Sequence, residues 1–431
     1  MKKTELMCLI AACCVLLGIN ACKSESGLLE EEQTTPVEKT TPEETTPLTP
    51  REDIILTKGE QSVLEGNNEF AFNLLKEVVK DENEQGNIFI SPLSATLALA
   101  MLNNGAAGAT QEEIQQALGY GDVARKDVNT YFQKMVKAMQ DLDDVTTFES
   151  ANSIWISNDF PALQDFKDVN QTYYEAEIAN VDFTDPTTEN VINSWVADKT
   201  HDRITSVPYS PATVMELINA LYFNAPWTLP FDESLTKDAT FYNEDGTTSE
   251  IPMMTFGKEI MFNYSMRPSY QVLELPYGNE AFGMVLLLPN EGVSVESVVE
   301  DLDAAAWEDL QTRLMSSSVE VYLPRLKLEY TRLLNDDLAA LGMTSMFSPL
   351  ADFSLISPWS FAVSAVLQKT FIEVKETGTE AAGVTVIIGV TSSGDAIRTP
   401  VLEFNRPFVY FIKEKSTGSI FFAGVTRKLT K

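Results

Sequence analysis

The sequence predicts an α+β fold built on large mixed or antiparallel β-sheets. Apolar side chains recur at helical spacing in three segments, at 68–80, 112–118 and 336–342. Short runs rich in β-branched, aromatic and other apolar residues have the length and composition of strands. They lie at 272–275, 284–288, 319–323 and 408–412. Strands and helices do not alternate regularly, which disfavours a doubly wound parallel sheet.

The first 21 residues are predicted to be a signal peptide of the lipoprotein type. Lys2 and Lys3 precede an apolar run at 6–19, and this run ends in Ile-Asn-Ala-Cys at 19–22, which is the layout of an export signal. A small residue followed by Cys22 resembles the bacterial lipobox, in which the cysteine thiol is acylated and becomes the mature N-terminus. An ordinary secretory signal that happens to contain Cys22 is the alternative.

All four cysteines lie near the N-terminus, at positions 8, 13, 14 and 22. The chain after Cys22 therefore has no thiol for a disulfide or a cysteine-bound metal. Residues 22–56 are rich in threonine, proline and glutamate, and we expect a disordered tether because this composition is too polar to bury a core. The folded domain is predicted to span 57–431, in the periplasm or outside the cell, on an outer-membrane or cell-surface lipoprotein.

The formal net charge of −32 at pH 7 limits the partners that the protein can bind. A strongly acidic surface repels nucleic acid and anionic lipid. We therefore expect no nucleic-acid partner, and membrane contact only through the lipid anchor. Such a surface would attract a cationic partner, and a role in solubility alone is the alternative.

Residues that an enzyme would need are scarce. His201 is the only histidine, and neither side of it carries a nucleophile motif such as G-x-S-x-G or a metal motif such as H-E-x-x-H. We therefore expect an exposed surface histidine, no metal, no cofactor and no enzymatic activity. A hydrolase that uses a pair of the many acidic side chains is the alternative.

Seven segments of the chain together resemble the serpin family of serine protease inhibitors. In family order they are NIFISPLSATLALAMLNNGAAGAT at 87–110, LINALYFNAPWTLPF at 217–231, LPYGNEAFGMVLLLP at 275–289, PRLKLEYTRLLNDDLAALGMTSMF at 324–347, ADFSLIS at 351–357, EVKETGTEAAGVTV at 373–386 and FNRPFVYFIKEKSTGSIFFAG at 404–424. Any one of them could belong to an ordinary helix or strand, but their joint occurrence is specific. The resemblance implies one serpin domain with three β-sheets, eight or nine helices and an exposed reactive-centre loop.

The resemblance also implies a metastable protein that inhibits proteases. A serine protease, or a cysteine protease, attacks the loop and forms an acyl-enzyme, and the cleaved loop then enters the main sheet as a new strand. The expected partner is thus a target protease, held in a covalent complex by a monomeric inhibitor. A non-inhibitory serpin that acts as a surface scaffold and an adhesion or glycan-binding lipoprotein are the alternatives.

The hinge of the loop has counterparts at Glu376, Gly378, Thr379, Glu380, Ala381, Ala382 and Gly383. If the following chain forms a strand, alternate side chains share one face. One face would then carry the small or apolar residues that burial requires: Thr379, Ala381, Gly383, Thr385, Ile387 and Gly389. From composition alone, a loop that leads into an ordinary strand is the alternative.

The family's sheet-opening cluster has six counterparts in this chain: Ser91, Pro92, Ser94, Asn219, Gln368 and Trp227. Gln368 takes the place of the family's usual histidine. Glutamine can both donate and accept hydrogen bonds, so the cluster can form without a group that titrates. Trp227 corresponds to the tryptophan at the top of the family's main sheet.

Family spacing counted from Glu376 places the reactive bond between Ser392 and Ser393. The stretch before the last family segment is a few residues longer than usual, so neighbouring bonds are alternatives. They involve Thr391, Gly394, Asp395 and Ala396. Small side chains at this bond suit proteases with shallow specificity pockets, such as elastase-like enzymes.

Overall fold

The computed structural model describes residues 48–81, 86–379 and 399–431. By its internal contacts the chain divides into two units, Met1–Glu44 and Thr45–Lys431, and all described residues belong to the second unit. The predicted signal peptide, the predicted lipidation site Cys22 and residues 22–47 of the predicted tether lie outside the described residues.

The described residues contain nine α-helices, in agreement with the eight or nine expected. They are α1 Lys58–Lys80, α2 Pro92–Asn103, α3 Gly108–Ala117, α4 Arg125–Asp141, α5 Gln164–Tyr174, α6 Pro186–Lys199, α7 Val295–Glu300, α8 Ala304–Thr312 and α9 Asn335–Ala340. The three segments with helical spacing overlap α1, α3 and α9, so these predictions are confirmed.

Local sequence determines where the first two helices begin. Thr57 and Glu60 form a capping box at α1, in which each side chain accepts a hydrogen bond from the other residue's main-chain N–H. Ser91 caps α2 by accepting from Ser94 N at 3.2 Å, and Pro92 occupies the first turn, where its missing N–H costs nothing. Every residue of α2 is buried, so this helix runs through the interior.

The described residues also contain sixteen β-strands. They are β1 Ile88–Ile90, β2 Thr147–Ser157, β3 Glu177–Val181, β4 Met215–Pro226, β5 Lys237–Tyr242, β6 Thr248–Thr255, β7 Ile260–Met266, β8 Tyr270–Tyr277, β9 Phe282–Pro289, β10 Met315–Pro324, β11 Leu326–Leu333, β12 Ala365–Lys375, β13 Gly378–Thr379, β14 Val401–Glu403, β15 Phe408–Glu414 and β16 Ile420–Thr426. All four runs predicted as strands fall within strands, namely β8, β9, β10 and β15.

Ten strands form one hydrogen-bonded path in the order β1-β16-β15-β9-β8-β7-β10-β6-β5, with β14 paired to β10. Strand β10 is shared along its length. Its residues 315–319 pair with β7, whereas residues 320–324 pair with β14 and β6. The path therefore consists of two sheets that meet at β10, and with the separate six-stranded sheet they account for the three sheets expected.

The six-stranded sheet has the order β11-β12-β13-β4-β2-β3, and β12 also pairs directly with β4. The direct pairing is parallel and joins residues 365–367 to residues 216–218. At the other end of the same two strands, β13 lies between them. Strands β4 and β12 are therefore direct neighbours at one end of the sheet, here named its lower end, and are separated by β13 at the other, upper end.

Two hydrophobic clusters stabilise the domain. The larger one contains buried side chains from all three sheets and from α1 and α2. The smaller one joins α6 and the chain after it to the outer face of the six-stranded sheet, and includes Trp155, Val196, Ile204, Ile218 and Leu367. The six-stranded sheet is thus covered on both of its faces.

Residues 48–56, which the sequence places in the tether, contact the domain ahead of α1. Ile54 N donates to Ser416 Oγ at 2.9 Å, and the Ile55 carbonyl accepts from Lys134 Nζ at 2.7 Å. Leu56 packs against the larger core cluster. The chain is therefore held by three separate parts of the domain before its first helix begins.

Among the described residues, no helix combines the length and the apolar composition that a membrane span requires. The same part of the chain contains no group of three or more histidine, cysteine, aspartate or glutamate side chains placed to hold a metal ion.

An ion pair is buried in the ten-stranded path. Lys413 Nζ of β15 lies 3.0 Å from Glu274 Oε1 of β8, and both side chains are almost fully buried. Gln311 Oε1 accepts a further hydrogen bond from Lys413 at 2.8 Å. Because neither charge can be solvated by bulk water, each depends on the other.

We expect Lys413→Met to lower the free energy of unfolding by about 3–5 kcal/mol, because it leaves the Glu274 carboxylate buried without its counter-charge. The double variant Lys413→Met/Glu274→Met should recover much of this loss, since no lone charge remains. Urea unfolding of the three proteins measures both effects. A single variant as stable as the parent would contradict this account of the pair.

Candidate functional site

The last described residues of the predicted hinge, Gly378 and Thr379, form strand β13. This strand runs antiparallel to both of its neighbours, and Thr379 faces Val374 of β12 on one side and Ala225 of β4 on the other. Gly378 has a φ of 148°, a conformation that glycine adopts more readily than residues with a Cβ. The hinge therefore enters the six-stranded sheet at Thr379, whose side chain is buried.

Below β13 the two neighbouring strands line a gap, here named the sheet cleft. Within the sheet its lining residues are Leu221, Tyr222 and Phe223 of β4, Phe371, Ile372 and Glu373 of β12, and Thr379 at the upper end, and from the chain that follows α6 they are Thr200, Arg203 and Ile204. Among the described residues, direct pairing of β4 with β12 is confined to 216–218 and 365–367. The sheet is thus closed at its lower end by three residue pairs and held apart at its upper end by β13.

Immediately before β13 the Glu376 carboxylate is held by hydrogen bonds from two side chains. Arg325 Nε donates to both carboxylate oxygens, at 2.9 and 3.0 Å, and Thr236 Oγ1 donates to one of them at 2.6 Å. Burial opposes ionisation of Glu376, but these hydrogen bonds hold its pKa below its ordinary value. The Glu376 carbonyl also accepts from Phe231 N at 2.9 Å. Side chain and main chain together hold the point at which the chain turns into β13.

Trp227 and Tyr277 form a stacked aromatic pair beside the hinge, with ring centres 4.3 Å apart. Trp227 Nε1 donates to the Lys375 carbonyl at 2.9 Å, and Trp227 N donates to the Thr377 carbonyl at 3.0 Å. The Tyr277 hydroxyl lies 2.6 Å from Thr379 Oγ1. Burial raises the pKa of Tyr277, so this hydroxyl stays protonated and can donate. The aromatic pair therefore holds the chain on both sides of Glu376.

A second set of hydrogen bonds joins the start of α2 to the middle of β12. Gln368 Oε1 accepts from Ser91 N at 2.9 Å, and Gln368 Nε2 donates to the Ser91 carbonyl at 2.7 Å. Ser91 Oγ donates to the Phe421 carbonyl of β16 at 2.8 Å. Glutamine thus supplies a donor and an acceptor to the same residue, and neither depends on pH.

The same set of bonds reaches β4 through Asn219. Ser94 Oγ donates to the Asn219 carbonyl at 3.4 Å, and Asn219 Nδ2 donates to Asn152 Oδ1 of β2. Asn152 in turn donates to the Tyr174 carbonyl at 3.0 Å. Helix α2 is therefore bonded to both strands that border the sheet cleft.

The structure brings together most of the residues predicted for the sheet-opening cluster, namely Ser91, Pro92, Ser94, Asn219 and Gln368. Trp227 lies apart from them, beside the hinge. Two other sets of predicted residues lie outside the described residues. They are the hinge residues Glu380, Ala381, Ala382 and Gly383 and every candidate for the reactive bond, Thr391, Ser392, Ser393, Gly394, Asp395 and Ala396.

Sequence reasoning missed three residues that hold the hinge: Arg325, Thr236 and Tyr277. Arg325 lies between the end of β10 and the start of β11, and it meets Glu376 across 51 positions of the sequence. The available signals were Arg325 at the break between two strands and Glu376 two residues before Gly378. Neither signal identifies its partner without the fold.

On the outer face of the sheet, the chain that follows α6 contacts both sides of the sheet cleft. The Arg203 guanidinium lies 5.7 Å from the ring centre of Phe371 in β12. His201 lies 2.9 Å from the Glu149 carboxylate of β2, and its ring centre is 4.5 Å from that of Tyr222 in β4. The His201 side chain is 51% exposed, as expected for a surface histidine. Residues 200–207, here named the crossing segment, therefore bridge the cleft from outside.

A family model described as serpin (serine protease inhibitor) matches residues 65–428. The chain is 33% identical over 382 residues to intracellular coagulation inhibitor 1 of Tachypleus tridentatus, an alignment that covers 86% of this chain and 90% of that protein. It is 35% identical over 373 residues to serpin B8 of Homo sapiens, covering 84% of this chain and 97% of that one.

Solved structures show the same similarity in three dimensions. The native-state crystal structure of tengpin, a thermophilic serpin, matches with a TM-score of 0.78 at 32% identity, over 88% of this chain and 97% of that chain. Human glycosylated kallistatin matches with a TM-score of 0.77 at 27% identity, over 87% and 100% of the two chains. The sequence matches and the arrangement of strands agree, and the chain belongs to the serpin family and has the serpin fold.

Proposed function

We propose that this chain inhibits serine proteases, or alternatively cysteine proteases, by trapping the acyl-enzyme when its cleaved loop inserts into the six-stranded sheet. The observation that carries the proposal is β13, because the start of the hinge already lies between β4 and β12. A relative described as a coagulation inhibitor supports an inhibitory role.

The register of β13 indicates where later residues would lie after insertion. Thr379 faces Val374 and Ala225, so Ala381 would face Ile372 and Phe223 two positions further along. These partners are buried and belong to the larger core cluster. Every second residue from 379 to 389 would therefore face the core, where only small or apolar side chains are accommodated.

Insertion would also reach the sheet-opening cluster. In the same register Thr385 would face Gln368 on β12 and Asn219 on β4. These two residues are at present joined through Ser91 and Ser94 at the start of α2. The cluster would therefore have to move apart as the new strand passes, which gives it a role in controlling the opening of the sheet.

The free energy of insertion is large enough to drive the movement of a bound protease. About a dozen new backbone hydrogen bonds contribute roughly 0.5–1.5 kcal/mol each, and three or four newly buried apolar side chains contribute about 1.5–3 kcal/mol each. Together they give on the order of 10–30 kcal/mol. A native state in which the loop has not inserted into the sheet is therefore metastable.

The covalent step uses the chemistry of the protease. Its serine hydroxyl or cysteine thiol attacks the carbonyl carbon before the reactive bond, the peptide C–N bond breaks, and the new amine leaves with the C-terminal part. An ester or thioester then links the two proteins until water hydrolyses it. We propose Ser392–Ser393 as the bond, with alternatives within 391–396, and an elastase-like protease as the target because these residues are small.

We further propose that the protein is a monomeric bacterial-type lipoprotein, anchored through Cys22 with the serpin domain in the periplasm or outside the cell. The support comes from the sequence: an apolar run at 6–19, a small residue before Cys22, and a segment rich in threonine, proline and glutamate at 22–56. Such a tether would hold the domain away from the membrane surface.

The proposed function is tested by incubating the protein with elastase-like and trypsin-like serine proteases. We expect a protease complex that survives SDS, release of a C-terminal peptide starting within 392–396, and a large rise in the unfolding temperature of the loop-cleaved protein. The rise follows from the added strand. Cleavage with no complex and no rise would instead identify a passive scaffold.

Thr379→Arg should convert the inhibitor into a substrate, because Thr379 already holds a buried position between β4 and β12, and a charged side chain there would displace the hinge and slow insertion of the following residues relative to hydrolysis. The yield of SDS-stable complex per cleaved inhibitor measures the change, and we expect at least a tenfold loss. Thr130→Arg, on the exposed face of α4, is the matched control and should inhibit like the parent. Full complex formation by the Thr379 variant would refute the insertion path.

Arg325→Gln should loosen the hinge by about 1–3 kcal/mol, because it removes charge-assisted bonds to a buried carboxylate. Hydrogen exchange of the Trp227 and Phe231 amides, which donate to the Thr377 and Glu376 carbonyls, measures this local stability. Arg313→Gln, which removes an exposed pair with Asp309, is the control.

Hydrogen exchange of the Trp227 and Phe231 amides should also depend on pH. Hydrogen bonds to the Glu376 carboxylate lower its pKa. The ionised carboxylate therefore stabilises the hinge fully above the ordinary carboxyl pKa, and this stabilisation is lost as pH falls through the lowered pKa. In the Arg325 variant the loss should begin at higher pH. Identical pH profiles in parent and variant would show that Arg325 does not hold the hinge.

A further inference from the structure

Glu216 is a buried carboxylate at the closed end of the sheet cleft. It lies on β4, where it faces Ala365 of β12 across one of the three direct residue pairs and Trp155 of β2 on the other side. Only 3% of its surface is exposed, and its Oε2 has no hydrogen-bond partner among the described residues. Burial at this position makes ionisation of the carboxyl group unfavourable.

Ionisable side chains on the outer face of the sheet and in the chain that covers this face are engaged elsewhere. Lys369, further along β12, pairs with Glu329 and donates to the Ser206 carbonyl. Tyr209 donates to the Phe183 carbonyl, and His201 pairs with Glu149.

Arg203 in the crossing segment lies over Phe371. The residues that face Glu216 directly in the sheet, Ala365 and Trp155, carry no charge. On the same face of β4 the next side chain, Ile218, belongs to the smaller hydrophobic cluster. Among the described residues, Glu216 therefore meets an apolar surface and no counter-charge.

We propose that Glu216 makes the opening of the six-stranded sheet sensitive to pH: its neutral form stabilises the direct pairing of β4 with β12, and its charged form weakens that pairing. Loop insertion would consequently be slower in mildly acidic solution than above neutral pH. The inference rests on the proposed insertion mechanism, because a new strand must separate the pairs that bury Glu216.

The direction of the effect follows from linkage. Burial raises the pKa of Glu216 to about 7 from an ordinary value of 4.5. Opening the sheet admits water and lowers this pKa again. The closed sheet therefore has its full stability below the ordinary value, loses stability as pH rises from there towards 7, and stays weakened at higher pH.

Annealing of a peptide tests the inference without any protease. A fluorescein-labelled peptide with the sequence of residues 379–391 is added to the uncleaved full chain, and its uptake into the sheet is followed by anisotropy between pH 5 and pH 8. We expect the rate to be about tenfold higher at pH 8 than at pH 5.

Two variants remove the titrating group. Glu216→Gln keeps the shape of the side chain and Glu216→Leu matches its apolar surroundings, and both should anneal at a rate that does not change with pH. Agreement of the two excludes an effect of packing in one of them. His201→Gln is the matched control, because it replaces the only histidine of the sequence, and it should keep the pH dependence of the parent.

The outcomes separate the two proposals. A parent rate independent of pH, or an unchanged pH dependence in both Glu216 variants, would overturn the role of Glu216 and leave the inhibitory function standing. Loss of the pH dependence in His201→Gln would assign it to His201 and also overturn the inference. If no peptide anneals at any pH and the loop-cleaved protein gains no thermal stability, the insertion mechanism fails and the role of Glu216 fails with it.

Discussion

Backbone pairing around the sheet cleft is the constraint on which the rest of the molecule depends. Strands β4 and β12 are joined directly over three residue pairs at one end, and β13 lies between them at the other. Buried N–H and C=O groups along such edges are stabilised by pairing. Under the proposed mechanism, a further strand that enters this sheet would gain such pairing, and the groups around the cleft would control its entry.

Different groups act on the two ends of the cleft. At the upper end, Arg325 on Glu376 and the Trp227–Tyr277 pair hold the chain as it turns into β13. Further down, α2 is bonded to Gln368 on one border and to Asn219 on the other. The crossing segment bridges the outer face. Hinge, helix and crossing segment thus form one assembly around the two strands that border the cleft, and under the proposed mechanism this assembly would have to shift as a strand enters.

Much of this assembly could be predicted from sequence, and the exceptions share a cause. The turn formed by Ser91, Pro92 and Ser94 and the residue Asn219 were recognisable because they lie in segments that resemble a family, and Gln368 because it takes the place of the family's usual histidine. Trp227 was grouped with them, but it follows Asn219 by eight positions along an extended chain, which is about 26 Å, and so lies with the hinge. Arg325 and Glu216 were not identified, because neither belongs to a local pattern.

The sequence by itself indicated three of the nine helices and four of the sixteen strands of the described residues, together with the small side chains of the loop segment, since periodicity and side-chain volume are local properties. It also determined the family, through the order of its segments. Only the tertiary structure decided that Glu376 meets Arg325, that Thr379 lies between β4 and β12, and that Glu216 is buried without a counter-charge. These are relations between distant parts of the chain, and burial and pairing energies exist only once those parts are packed together.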